Sequence, residues 1–127
     1  MNAKKVLIVE DDRNICEIVE LVLAEEGYEV ISNSCLEPLD YLKDVKPDLI
    51  LLDEWVNEKE GHMLCKEIKK IHQLLHIPVI IFSTAWNIEE IVETCQANGF
   101  IRKPFDVTEL VTEVNRYLSK RPGQLPV

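Results

Sequence analysis

Pro47-Asp48-Leu49-Ile50-Leu51-Leu52-Asp53 decides the architecture of this chain. Four consecutive branched aliphatic residues show no alternation between a wet and a dry face. They predict a strand over Asp48 to Leu52 that is covered on both sides, as in a parallel sheet. It ends on a carboxylate. Upstream, Val6-Leu7-Ile8-Val9 has the same character and runs into Glu10-Asp11-Asp12. Where two such strands are parallel neighbours, their acidic ends converge at the carboxyl edge of the sheet, which is where α/β sheets bind ligands. Repulsion makes that convergence costly unless a cation sits among the oxygens, and hard carboxylate donors suit Mg²⁺. Lys103-Pro104-Phe105, after a short apolar piece late in the chain, is the third group of interest.

Working outward from these strands, sheet and helix patterns alternate along the chain. Ile15, Ile18, Val19, Val22 and Leu23 recur at i, i+3, i+4, i+7 and i+8 and predict an amphipathic helix stopped by Gly27. Glu29 to Ser32 reads as a short strand, and Leu36 to Val45 as a helix with Pro38 in its first turn. After Asp53, Gly61 closes a loop and Leu64, Ile68, Ile71 and Leu75 continue at helical spacing. Pro78 opens a strand over Val79 to Phe82, followed by Ser83-Thr84-Ala85. Ile88, Ile91, Val92 and Cys95 mark a fourth helix, Phe100-Ile101 a fifth strand, and Val107 to Leu118 a final helix with Leu110, Val111, Val114 and Leu118 as its stripe. Successive β-α units imply right-handed crossovers with helices on both faces of a parallel sheet. The compact arrangement is a doubly wound, flavodoxin-like (βα)5 sandwich of strand order 2-1-3-4-5, which sets the first and third strands side by side.

At 127 residues the chain is sized for one domain, expected over 1–119, with a frayed tail over 120–127 containing Pro122, Gly123 and Pro126. Charged residues make up 29%, and no apolar run approaches the roughly 20 residues of a membrane span. Val6 to Val9 is too short for a secretory signal core, so a cytoplasmic location is expected. A net charge of -9 opposes sequence-independent nucleic-acid binding, which needs clustered Lys and Arg against phosphate. Cys16, Cys35, Cys65 and Cys95 form no C-x-x-C pair and read as reduced thiols. His72 and His76 lie four residues apart but without the Glu of an H-E-x-x-H helix, since Gln73 follows His72, and with His62 they read as ordinary helix residues.

From Lys4 to Leu118 the chain resembles the receiver domain of two-component response regulators, of the chemotaxis-receiver type. The resemblance is carried by Leu7-Ile8-Val9-Glu10-Asp11-Asp12, Pro47 to Asp53, Gly61, Pro78-Val79-Ile80-Ile81-Phe82-Ser83 and Phe100-Ile101-Arg102-Lys103-Pro104-Phe105, in that order. It implies that Asp53 accepts a phosphoryl group from a histidine kinase or a phosphotransfer protein. It further implies Mg²⁺ held by Asp11, Asp53 and the Trp55 carbonyl, with Glu10 acting through water. Ser83 becomes the hydroxyl switch residue, with Thr84 as the fallback, Phe100 the aromatic switch position and Lys103 the lysine of the site, before a cis Lys-Pro bond. Trp55 and Ala85 flank the path of the hydrolytic water, and slow loss of the aspartyl phosphate is expected from them. Such a protein is not a dedicated enzyme; it catalyses its own phosphotransfer and slow hydrolysis. The resemblance places a downstream protein partner on the face of the fourth helix, fifth strand and fifth helix, with a monomer or a phosphorylation-dependent dimer, and no role for nucleic acid or membrane.

Three features depart from the family pattern. Asn57 stands where Pro is usual, Gln96 stands where Gly is common, and the segment from Ser83 to Ala97 is about two residues short. The acidic loop Glu54 to Glu60 is expected to be looser, and the fourth helix to differ in shape. Other readings of the same residues are weaker. A haloacid dehalogenase-like phosphatase needs a second Asp two residues after the nucleophile, where this chain has Trp55. An FMN carrier needs a phosphate loop after the first strand, and Glu10-Asp11-Asp12 would repel the phosphate. A degenerate receiver acting as a phosphorylation-independent interaction module is the remaining alternative, and the complete acid set with Lys103 counts against it.

Overall fold

Unbroken apolar runs become strands here because both faces of the sheet are covered. The structure, a computed structural model, describes residues 3–33, 39–56 and 59–118, excluding the side chains of Leu39, Trp55 and Lys59. The described chain runs β1 (Lys5–Val9), α1 (Arg13–Glu25), β2 (Glu29–Asn33), α2 (Leu39–Val45), β3 (Leu49–Asp53), β4 (Trp55–Val56), β5 (Lys59–Glu60), α3 (Gly61–Lys69), β6 (Val79–Ser83), α4 (Ile88–Cys95), β7 (Gly99–Arg102) and α5 (Val107–Leu118). Five strands pair in parallel in the order β2-β1-β3-β6-β7. Counted within that sheet the order is 2-1-3-4-5, as the sequence implies. Every residue of β3 and β6, the strands at and beside the centre, is buried.

Alternate residues of each strand feed opposite faces. Leu7, Val9, Ile50, Leu52, Val79 and Ile81 pack with Leu64, Cys65 and Ile68 of α3 and Ile88 and Cys95 of α4. Val6, Ile8, Leu49, Leu51, Ile80 and Phe82 pack with Val19 and Leu23 of α1 and Leu110, Val114 and Leu118 of α5. Strand register then fixes the functional edge. Val9 pairs with Leu52, so the next residue of each strand, Glu10 and Asp53, emerges side by side. Asp53 pairs with Phe82, and Ser83 pairs with Arg102, which brings Lys103 to the same edge.

Local chemistry explains where helices begin and end. Asp12 caps α1, its side chain accepting from the Asn14 amide at 2.9 Å and the Ile15 amide at 3.3 Å. Gly27 follows at φ 93, a left-handed conformation that suits glycine. Gln96 also caps α4 in the left-handed region, at φ 64, which is why glycine would be comfortable there. The predicted start of α2 at Leu36, with Pro38, lies outside the described residues, as do Cys35, Asn57 and the tail from 119; the helix described begins at Leu39.

The helical spacing through Ile71 and Leu75 is not realised, because α3 stops at Lys69. The Lys69 ammonium donates to the carbonyls of Leu75 and Ile77 and to Asn98 Oδ1, holding the chain in consecutive turns. Leu74 therefore enters the core, while Leu75 is 47% exposed. A second difference is the short antiparallel hairpin of β4 and β5, in which Trp55 pairs with Glu60 and Val56 with Lys59. Val56 is fully buried, so this acidic loop is anchored by one apolar residue that the charge pattern obscures.

Gly61 shows why this hairpin closes where it does. Its amide donates to the Glu54 carbonyl at 2.6 Å, and a Cβ at this position would lie inside the van der Waals sphere of the Asp53 carbonyl oxygen. The obstacle is backbone and cannot swing aside. Gly61→Ala is therefore expected to cost about 2 kcal/mol in urea unfolding, within the range for overpacking. An unchanged midpoint would mean that the hairpin shifts at no cost.

Candidate functional site

At the carboxyl edge of the sheet, Glu10, Asp11 and Asp53 each bring a carboxylate oxygen within 4.8 Å of the others. Glu10 and Asp53 are buried, whereas Asp11 faces solvent. Lys103 reaches in from the turn after β7. Its Nζ donates to Glu10 Oε1 at 2.8 Å and to Asp53 Oδ1 at 3.2 Å, bridging the two buried acids, and lies 5.3 Å from the centre of the Phe82 ring. The Lys103-Pro104 peptide bond is cis. The lysine amide donates to the Ser83 carbonyl at 2.9 Å, which ties the turn to the end of β6.

Electrostatics show how this edge is balanced. Burial pushes the Glu10 carboxyl up to about 7, with the nearby Asp53 charge adding to it and the Lys103 hydrogen bond opposing it. Burial alone would lower the Lys103 ammonium, but the Glu10 hydrogen bond and the Asp53 charge outweigh it and raise it. Three acidic side chains face one ammonium at this edge, two of them, Glu10 and Asp53, buried. The donor set is all oxygen, partly buried and open to solvent at Asp11. Those properties fit a small hard divalent cation that keeps several waters.

The remaining predicted residues fall into distinct positions. Ser83 is buried and its Oγ accepts from the Ala85 amide at 2.9 Å, while Thr84 is exposed. Asp12 is used as the α1 cap, and its amide donates to Glu10 Oε2 at 3.1 Å. Phe100 is half-buried and packed against the core, with the Arg102 guanidinium 5.4 Å from its ring centre. The Trp55 backbone lies in β4, and its side chain is outside the description. His62, expected from the sequence to be an ordinary helix residue, has its Nδ1 2.7 Å from Glu54 Oε2. No helical spacing could have signalled that pair, because the β4–β5 hairpin makes it.

Comparison with known proteins agrees with this fold. The family model for the response regulator receiver domain matches residues 6–115. The receiver domain of NtrX from Brucella abortus is 31% identical and superposes with a TM-score of 0.78, covering 91% of this chain and 99% of that one. The signal receiver domain of a signal transduction histidine kinase from Syntrophus aciditrophicus is 31% identical, with a TM-score of 0.83 and coverage of 98% and 97%. The chemotaxis protein CheY4 of Vibrio cholerae is 25% identical, with a TM-score of 0.82 and coverage of 92% and 100%. The chain belongs to the response regulator receiver domain family of two-component signalling. Among the described residues no helix is long and apolar enough to cross a membrane.

Proposed function

We propose that the protein is a phosphoacceptor receiver that takes a phosphoryl group onto Asp53 and signals through a protein partner. The observation that carries this reading is the Glu10, Asp11 and Asp53 cluster bridged by Lys103. In the proposed transfer an Asp53 oxygen bonds to phosphorus as the P–N bond to the donor histidine breaks, and the imidazole leaves with the electron pair. Asp11 and Asp53 would hold Mg²⁺, together with the Trp55 carbonyl and with Glu10 through water. The ion would offset the charge of the incoming phosphoryl oxygens. Lys103 supplies fixed positive charge, and Ser83 and the Thr84 amide supply hydrogen-bond donors once the group is attached. The phosphoryl group on a modified Asp53 carries about -1.5 to -2 charge in place of the carboxylate's single charge, and its acceptor oxygens draw Lys103 and Ser83 toward it and shift the β6–β7 edge between two arrangements.

The domain spans 1–119 in this reading, works in the cytoplasm, and meets a histidine kinase or phosphotransfer protein upstream. Its output partner engages α4, β7 and α5, as a monomer or a phosphorylation-dependent dimer. Trp86, 86% exposed immediately before α4, is an aromatic anchor of the kind partner surfaces use. The test is incubation with Mg²⁺ and a small phosphodonor, following intact mass. One added phosphoryl group that EDTA prevents supports the proposal; none under any metal condition overturns it and favours the phosphorylation-independent module.

Signal lifetime is proposed to depend on Trp55 and Ala85, neither of which can orient a water through a side-chain hydrogen bond as an amide could. Slow self-hydrolysis is expected, and Trp55→Asn should speed loss of the phosphoryl group about tenfold, less than full general acid–base assistance because an amide orients the water without taking its proton. A decay as slow as wild type would remove Trp55 from this role.

A further inference from the structure

We infer that Glu54, Glu60 and His62 form a second metal site, selective for a borderline transition ion such as Zn²⁺ and separate from the acidic edge that faces Asp53. The hairpin assembles it. Glu54 follows β3, held by its amide to the Phe82 carbonyl at 3.0 Å and by its carbonyl to the Gly61 amide; Glu60 returns on β5; His62 is the second residue of α3. One ligand atom from each lies within 4.8 Å of the other two. Tetrahedral Zn²⁺ with bonds of about 2.0–2.1 Å places its ligand atoms roughly 3.4 Å apart, so closure needs only small side-chain movements.

A second, independent observation concerns the unused oxygen of Glu54. Oε2 lies 2.7 Å from His62 Nδ1, but Oε1 is shut off from solvent and has no hydrogen-bond partner. An orphaned carboxylate oxygen in a side chain only 13% exposed is expensive, and a cation supplies the missing partner. Burial, followed by the Glu60 charge, raises the Glu54 carboxyl despite the opposing His62 contact. In front of the three groups lies a cavity of about 300 Å³ that Asn87 and Glu90 of the α4 entry also line. The carboxylates here outweigh the roughly half positive charge of the α3 amino terminus.

Donor chemistry separates this cluster from the other. Three carboxylates suit Mg²⁺, whereas an imidazole with two carboxylates follows the transition-metal order and favours Zn²⁺, Co²⁺ or Ni²⁺. A bound ion would join the end of β3, the hairpin and α3 immediately beside the Asp53 edge. The inference does not depend on Asp53 being phosphorylated.

Co²⁺ titration of the Asp11→Asn protein tests it, since that background weakens the Mg²⁺ cluster. One equivalent is expected to bind in the presence of millimolar Mg²⁺, with weak visible d–d bands and no sulfur charge-transfer band. His62→Gln and Glu60→Gln, each added to that background, should weaken binding at least tenfold while the far-UV circular dichroism is unchanged. Absence of binding overturns the proposal. So does a near-UV thiolate band, which would assign the ion to cysteine, or binding that survives His62→Gln.

Discussion

Asp53→Asn is expected to take up no phosphoryl group under conditions where the wild-type protein becomes fully modified. The substitution keeps the volume and the hydrogen-bonding shape of the side chain but removes the anionic nucleophile. Neighbouring acids are poorly placed to substitute. Asp12 is committed to capping α1. Glu10 has both oxygens engaged, one by Lys103 and the other by the Asp12 amide, and its side chain is 1% exposed. A folding defect is not expected to confuse the result, because removing one of two buried like charges relieves repulsion. Intact mass after donor treatment, with unfolding by urea in parallel, is the measurement. A modified Asp53→Asn of wild-type stability would transfer the nucleophile to Asp11, the exposed member of the cluster.

Much of this could be read from residues, for a physical reason. β3 and β6 are buried on both faces, so their sequences had to be continuously apolar, and a carboxylate directly after such a run must emerge at the sheet edge. The α5 range and strand order were equally legible, because the apolar stripe and the alternation of units report burial directly. What stayed hidden depends on contacts between distant residues. Ile71 and Leu75 fit a helix by spacing, but Lys69 ends it by bonding to carbonyls up to Ile77 and to Asn98 across the fold. The Glu54, Glu60 and His62 cluster spans a hairpin of two-residue strands, shorter than any periodicity can register. The bridging of Glu10 and Asp53 by one ammonium is likewise a product of register, since Lys103 lies 93 residues from Glu10.

That bridge leads to the other large effect, on stability. Lys103→Met keeps the length and apolar stem of the side chain, so packing against Phe82 is conserved, but it leaves the buried Glu10 and Asp53 carboxylates facing each other with no counter-charge. Breaking a buried ion pair by removing one partner costs about 3–5 kcal/mol. The lower end is expected here, about 3 kcal/mol at pH 7 without metal, because Glu10 already sits up at about 7 and can take a proton cheaply. The pH dependence has a definite sign. A carboxyl raised in the folded state contributes stability that is fully present below its unfolded value near 4.5 and is lost as pH rises through about 7. Without the lysine the folded Glu10 value rises further, so the gap between variant and wild type should shrink steadily as pH is lowered from 7 toward 4.5. Urea unfolding at pH 7 and pH 5 in EDTA measures both quantities. If the deficit is as large at pH 5 as at pH 7, relief of repulsion between the two acids is not what the lysine contributes; if it shrinks, the ammonium is what allows two acids to share the buried end of one sheet.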